Sequence, residues 1–241
     1  LLNKTRAIVL RAVKYSETSI IATLYTELHG VQSFIIKGVR TQKSKSPKAA
    51  LLQVMSMLEV VTQHTQNRDL GYIRELKAGH VFSHLPYNVY KLSIGQFMVE
   101  LVRATQKEPE PNTDLFHFFW NALHYLDAYD GALPNFALYF LLEYTRFLGI
   151  KPDTAYTPDT PYFDLKEGCF TAVRPPATYC FPPEYTPILS QLLFNPLEEV
   201  HQIPLNRQQR QLLIEKILQY YTLHLGTPIE LKTVHIFSEI L

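Results

Sequence analysis

The spacing of apolar residues changes once along this 241-residue chain, and the change dictates a fold in two parts. Before about residue 82 the apolar positions alternate. In SIIATLYTE, residues 19–27, Ile20, Ala22 and Leu24 share one side of an extended chain and Ile21, Thr23 and Tyr25 the other, because successive Cβ atoms of a strand point to opposite faces. RAIVLRAVKY precedes this run across the polar SETS, and VQSFIIKGV follows a turn at Gly30. LLQVMSMLEVVTQ and GYIRELKAGHV supply a fourth and a fifth strand, the fourth expected to alternate through Leu52, Val54 and Ser56. Five short strands in about eighty residues suit a small closed barrel.

From about residue 84 the period is 3.6. Ile94, Phe97, Met98, Leu101 and Val102 mark the stripe of an amphipathic helix facing a core. A second helix is expected to start at Asn112-Thr113-Asp114, a third to open with Pro134 and stop at Gly149, and a long one to run from Asn206 to Gly226. Side-chain oxygens cap helix starts, proline suits the first turn and glycine ends the last. VHIFSEIL reads as a short closing helix. Residues 150–186 are Pro-rich and surround a hairpin, YFDLKEGCFTAV, whose Lys166-Glu167-Gly168 is turn chemistry. The expected class is α+β, with β elements over residues 1–82 and helices over residues 83–241, interrupted by the hairpin insert.

Charge is divided along the same line. The chain carries a net +1, yet residues 1–50 hold nine Lys and Arg against Glu17 and Glu27, whereas residues 81–241 hold eleven cations against seventeen acids. Lys37, Arg40, Lys43, Lys45 and Lys48 fall within twelve residues with no acid between them. A Gly/Ser/Pro-bearing loop after a strand can wrap a phosphate chain, and neutralised phosphates release condensed counterions. Arg11 and Lys14 on the first strand are the next candidates for the same surface. Small barrels that hold single strands add aromatic platforms, for which Tyr15, Tyr25, Phe34 and Tyr72 are candidates. Nothing offers a base-specific code, so binding without regard to sequence is expected.

The composition is that of an ordinary folded protein, 46% hydrophobic and 19% charged. No window approaches a membrane span, no secretory signal is expected, and two cysteines, Cys169 and Cys180, read as reduced thiols of a cytoplasmic protein.

YSETSIIATLYTELHGVQSFIIKGVR followed by KSKSPKAALLQ resembles the start of the bacterial recombination-mediator family RecO. The shared features are the aromatic-Ser-Glu-Thr-Ser turn at 15–19, Tyr25-Thr26, Gly30, the Lys37-Gly38-Val39-Arg40 exit and the Leu-Gln step at 52–53; EYTRFLGIKPD extends the likeness. The resemblance implies an amino-terminal oligonucleotide-binding (OB) barrel, a helical body and no covalent catalysis. It further implies binding of single- and double-stranded DNA, strand annealing, and contact with both RecR and the acidic tail of single-stranded-DNA-binding protein, so that RecA is loaded in RecF-pathway repair. Such work belongs to the cytoplasm, at the nucleoid.

Two departures stand out. Many RecO-like proteins carry a four-cysteine zinc module after the third helix, and the insert at 150–186 has no C-x-x-C pair. Zinc is expected to be absent, as are other cofactors and bound nucleotide. A tail ending in apolar residues and a carboxylate wants grease beside a cation; Phe140 and Tyr144 offer the first, and Arg103, Arg146 and Lys151 the second.

An enzyme reading has little to stand on. His80 with His84, and His117 with His124, fall at helix-face spacings, and Asp127 and Asp130 lie near His124, but no H-E-x-x-H, G-x-S-x-G, Walker or G-x-G-x-x-G motif occurs. The alternatives to a DNA-binding mediator are an adaptor whose basic loop meets an acidic protein, and a metal-dependent hydrolase.

Overall fold

The computed structural model describes residues 2–41, 44–45, 47–63, 70–107 and 109–234. They form two compact units, Leu1–Tyr129 and Asp130–Leu241. The first contains the barrel strands β1 (Leu2–Lys14), β2 (Ile20–Thr26) and β3 (Gly30–Ile36), then the two-residue pair β4 (Arg40–Thr41) and β5 (Ser44–Lys45), the short helix α1 (Pro47–Leu51), and strands β6 (Met57–Gln63) and β7 (Leu70–His80). Helices α2 (Val89–Thr105) and α3 (Thr113–Ala128) complete it. The compact unit thus extends past the change of period at residue 82 and takes in two helices.

The barrel closes in the order β1-β2-β3-β7-β6, with β3 and β7 parallel and the other neighbours antiparallel. This is the OB arrangement. Long β1 makes closure possible: its first half pairs with β6, its second half with β2, and a bulge between Val9 and Arg11 bends it from one partner to the other. Ala22, Leu24, Phe34, Ile36, Leu58 and Val60 fill the interior.

The expected fourth strand begins later than its alternation suggests. Pro47–Leu51 is helical, and Leu52–Ser56 is a turn in which Met55 adopts φ 75°. Met55 N donates to Val9 O (2.8 Å) and Val9 N to Ser56 O (3.0 Å), so the β1 bulge supplies the hydrogen bonds that hold this left-handed residue in place. Met55 is buried, and its Sδ lies where a side chain on Gly95 of α2 would stand.

Asp127 attaches the helices to the barrel. Its buried carboxylate accepts from the backbone N–H groups of Ser83, His84 and Leu85 at 2.8–3.1 Å and lies 3.2 Å from Nε2 of His80 at the end of β7. Lys91 of α2, also buried, donates to the carbonyls of Asp127 and Tyr129 and caps the end of α3. Burial pushes the Asp127 carboxyl up, but the N–H groups and His80 outweigh it and hold it at about 2.

The second unit holds α4 (Phe136–Phe147), the hairpin β8 (Tyr162–Asp164) and β9 (Cys169–Thr171), α5 (Thr186–Phe194), α6 (Leu197–Val200) and α7 (Arg207–Leu225). The sequence cues hold at α7, where Asn206 and Gln209 form a capping box and Gly226 ends the helix at φ 66°. The hairpin is held by rings: Phe163 meets Phe170 and Phe181 edge-on at 5.0 and 6.1 Å, and Tyr220 of α7 donates to Ile150 O at 2.6 Å. The expected closing helix at 234–241 lies outside the described residues apart from Val234.

Asp127→Ala is expected to destabilise the protein by roughly 3 kcal/mol or more, because three backbone donors lose their acceptor at about 1–3 kcal/mol each; urea unfolding measures it. The folded carboxyl is lowered from an ordinary 3.8, so its contribution is complete above about pH 4 and is lost as pH falls toward about 2. Across that window the wild type should lose more stability than Asp127→Asn.

Candidate nucleic-acid interface

Strand register decides which cations stand together. Arg11, Thr23 and Ser33 are successive partners across β1, β2 and β3, and the next row outward is Val13, Ile21, Ile35 and Tyr72 across β1, β2, β3 and β7. Ala22, Leu24, Phe34 and Ile36 point inward, so these rows lie on the outer face. Arg11 is exposed there and the other six are half-buried. Lys37 continues the outward parity of Ser33 and Ile35, and its Nζ rests over the Tyr72 ring, 5.8 Å from the centroid.

The loop of residues 15–19 borders the same face. Thr18 O accepts from Val39 N at 2.9 Å, and Ser19 O from Tyr15 N at 3.0 Å. These bonds place the loop beside Gly38, where φ of 69° turns the chain out of β3. Tyr15 is exposed on this loop, and exposed Lys14 ends β1 as the register partner of Ile20, at the mouth of the barrel. Beyond the turn, Arg40 and Lys45 are register partners in the β4–β5 pair, and Lys48 is exposed on α1. Lys43 lies outside the described residues.

Among the described residues no carboxylate pairs with Arg11, Lys14 or Lys37, whereas Arg6 and Lys4 are both engaged. Arg6 grips Glu27 through two N–H donors at 2.9 and 2.7 Å and lies over the rings of Phe116 and Trp120 of α3. His117 Nε2 is 2.8 Å from Arg6 Nη2 and 2.9 Å from Glu27 Oε1. The Arg6 guanidinium holds the Glu27 carboxyl at about 2, with help from His117 and against burial. This network escaped the sequence reading, since nothing local brings residues 6, 27 and 117 together.

The network also fixes how much of the outer face is open. Tyr25 O–H donates to Asn112 O, and the backbone of Glu110 runs where a Cβ on Gly30 would stand. The chain leading into α3 thus covers the β2–β3 turn and leaves the Arg11 and Val13 rows accessible. The Thr23 and Ser33 hydroxyls bond each other at 3.1 Å, which uses one of their two O–H donors.

Several candidates are corrected by burial. Tyr25 and Phe34 are fully buried, the first on the outer face beneath α3 and the second in the barrel interior, so neither can stack on a base. Truncating Phe34 would cost stability, about 3–5 kcal/mol. Phe140 and Tyr144 are likewise fully buried, stacked on one another in α4, with Tyr144 against Tyr221; they cannot line a surface groove. Arg103, Arg146 and Lys151 are exposed, Arg146 lying 3.8 Å from Glu143 and over Phe147.

The metal candidates meet other partners. His117 belongs to the Arg6 network, the His80 ring lies tilted 4.6 Å from that of His124 and bonds Asp127, and Asp127 is engaged by backbone N–H groups. Among the described residues no three His, Cys, Asp or Glu side chains gather as metal ligands. Cys169 pairs with Asp164 across the hairpin, Cys180 forms a single antiparallel bridge to Asp164 from outside it, and burial pushes the Cys169 thiol up. Among the described residues no helix is long and apolar enough to cross a membrane.

Comparison with known proteins agrees with the barrel-then-helix order. Residues 2–82 match the family model described as Recombination protein O N terminal, and residues 87–232 match Recombination protein O C terminal. Three relatives are each called DNA repair protein RecO. That of Phocaeicola vulgatus is 32% identical over 240 residues, spanning 100% of this chain and 99% of the relative. That of Bacteroides fragilis is 33% identical over 242 residues with the same coverage. That of Flavobacterium johnsoniae is 31% identical over 240 residues, with 98% of each chain covered.

Arg6→Gln should lower the thermal midpoint, because it takes the guanidinium's two charged donors from Glu27 and leaves that carboxylate to His117. Arg11→Gln, with no carboxylate partner to lose, should change stability by less than about 0.5 kcal/mol. Parallel melting curves test the contrast.

Proposed function

The chain belongs to the recombination protein O family, and on that premise we propose that it is a non-catalytic DNA-repair mediator. It binds single- and double-stranded DNA without regard to base order and anneals complementary strands. It engages RecR and the C-terminal tail of single-stranded-DNA-binding protein to promote RecA loading.

The observation that carries the DNA reading is the outer face of β1, β2, β3 and β7. There Arg11 and Lys37 stand beside half-buried side chains with no described carboxylate paired to them. Exposed cations left unpaired by the fold are available to phosphates, and an open OB face is where such barrels take oligonucleotides. Val13, Ile21 and Ile35 in the outer row carry no hydrogen-bonding side-chain group, which supports binding that ignores sequence. The partner roles rest on family membership, with Arg103, Arg146 and Lys151 as the exposed cations offered to a tail carboxylate. The insert is read as working without zinc on the chemistry of its sequence, which offers Cys169 and Cys180 eleven positions apart and no C-x-x-C pair.

Fluorescence anisotropy with single-stranded oligonucleotides tests the reading. If five phosphates are neutralised, affinity should fall by about two decades between about 50 and 200 mM salt. Arg11→Glu with Lys37→Glu should weaken binding and flatten the salt slope by about 1.4. Reversal of Lys43, Lys45 and Lys48 to Glu should act in the same direction without unfolding the barrel. Absence of length-dependent binding at low salt would refute the DNA reading and favour an adaptor that meets an acidic protein.

A further inference from the structure

We infer that Tyr72 is the residue that separates single-stranded from double-stranded DNA on this face, and that Lys37 leaves its ring when a base arrives. The inference rests on the DNA-binding reading above and assigns that surface a mode of recognition. Of the four aromatic side chains near the basic region, burial removes Tyr25 and Phe34. Tyr15 stands on the loop of residues 15–19, whereas Tyr72 ends the row Val13, Ile21, Ile35 across four strands of the barrel. That row is an apolar floor on a rigid sheet, flanked by Arg11 on one side and Lys37 on the other, so the charge pattern fits an unpaired strand whose bases face the protein and whose phosphates face the cations.

The Lys37 ammonium now rests over the Tyr72 ring. At an exposed site such a contact is worth a factor of only about two to five, while a base stacked on an aromatic platform contributes roughly five- to a hundred-fold. A base therefore displaces the ammonium from the ring, and the flexible lysine stem carries it to a flanking phosphate. No interaction is wasted in the exchange. A duplex keeps its bases stacked inside and cannot use the ring, so it engages Arg11, Lys14 and Lys37 through phosphates alone.

The test measures affinity of the full chain for a dT oligonucleotide and for a duplex of equal length, with Tyr72→Leu, Tyr72→Ala and Tyr72→Phe. Tyr72→Leu keeps apolar bulk without a π face, and duplex affinity serves as the folding control for each variant. Loss of the ring should weaken single-strand binding roughly five- to a hundred-fold, leave duplex binding within about two-fold, and be rescued by Tyr72→Phe. Equal losses on both DNAs, or single-strand affinity unchanged in Tyr72→Leu, would overturn the inference while leaving DNA binding itself standing. Failure of the wild type to bind either DNA would instead refute the reading on which it rests.

Discussion

A buried carboxylate, Asp127, joins the barrel to the helices that follow it. It sits near the end of α3, collects three backbone N–H groups of the turn after β7, and touches His80 of that strand. An unpaired buried charge would be costly, and here the three N–H groups of one turn, with His80, surround it. Lys91 closes the arrangement from α2 by capping the carbonyls at the other end of the same residue and of Tyr129. The two helices are thereby fixed against the barrel, and their placement determines which part of its surface stays open.

That placement sorts the cations of the amino-terminal region into two kinds. Arg6 lies under α3, bound to Glu27 and His117 and covered by Phe116 and Trp120; its charge is spent on structure. Arg11 is five residues further along the same strand, beyond the bulge, on the part of the face that α3 does not reach. A bulge of one residue thus marks the border between a structural arginine and one offered to solvent. Most acids lie in the later sequence, and Glu27 and Glu59 of the barrel are paired with Arg6 and Lys4.

Much of the fold was legible in the sequence because its cues are local. Period-two runs located β1, β2 and β3, and the caps at Asn112, Asn206 and Gly226 located α3 and α7. The same logic misread Leu52–Ser56, where alternating apolar residues belong to a turn that depends on hydrogen bonds from distant Val9. At the candidate interface, the sequence put Lys37, Arg40, Lys43, Lys45 and Lys48 first and Arg11 and Lys14 next, and treated Tyr15, Tyr25, Phe34 and Tyr72 alike. Alternation divides a strand into two faces without saying what covers each. Phe34 faces the interior, Tyr25 faces outward under α3, and Tyr72 faces outward beside Lys37.

The sequence by itself determined the β-then-α order, the caps of α3 and α7 and the concentration of positive charge before residue 50, because propensity, capping and charge are properties of residues and their near neighbours. Only the tertiary structure decided that Arg6 is paired with Glu27 while Arg11 has no carboxylate partner among the described residues, that Phe140 and Tyr144 are core, and that Tyr72 and Lys37 meet. Each of those outcomes depends on contacts between residues many positions apart, which barrel closure and helix docking create.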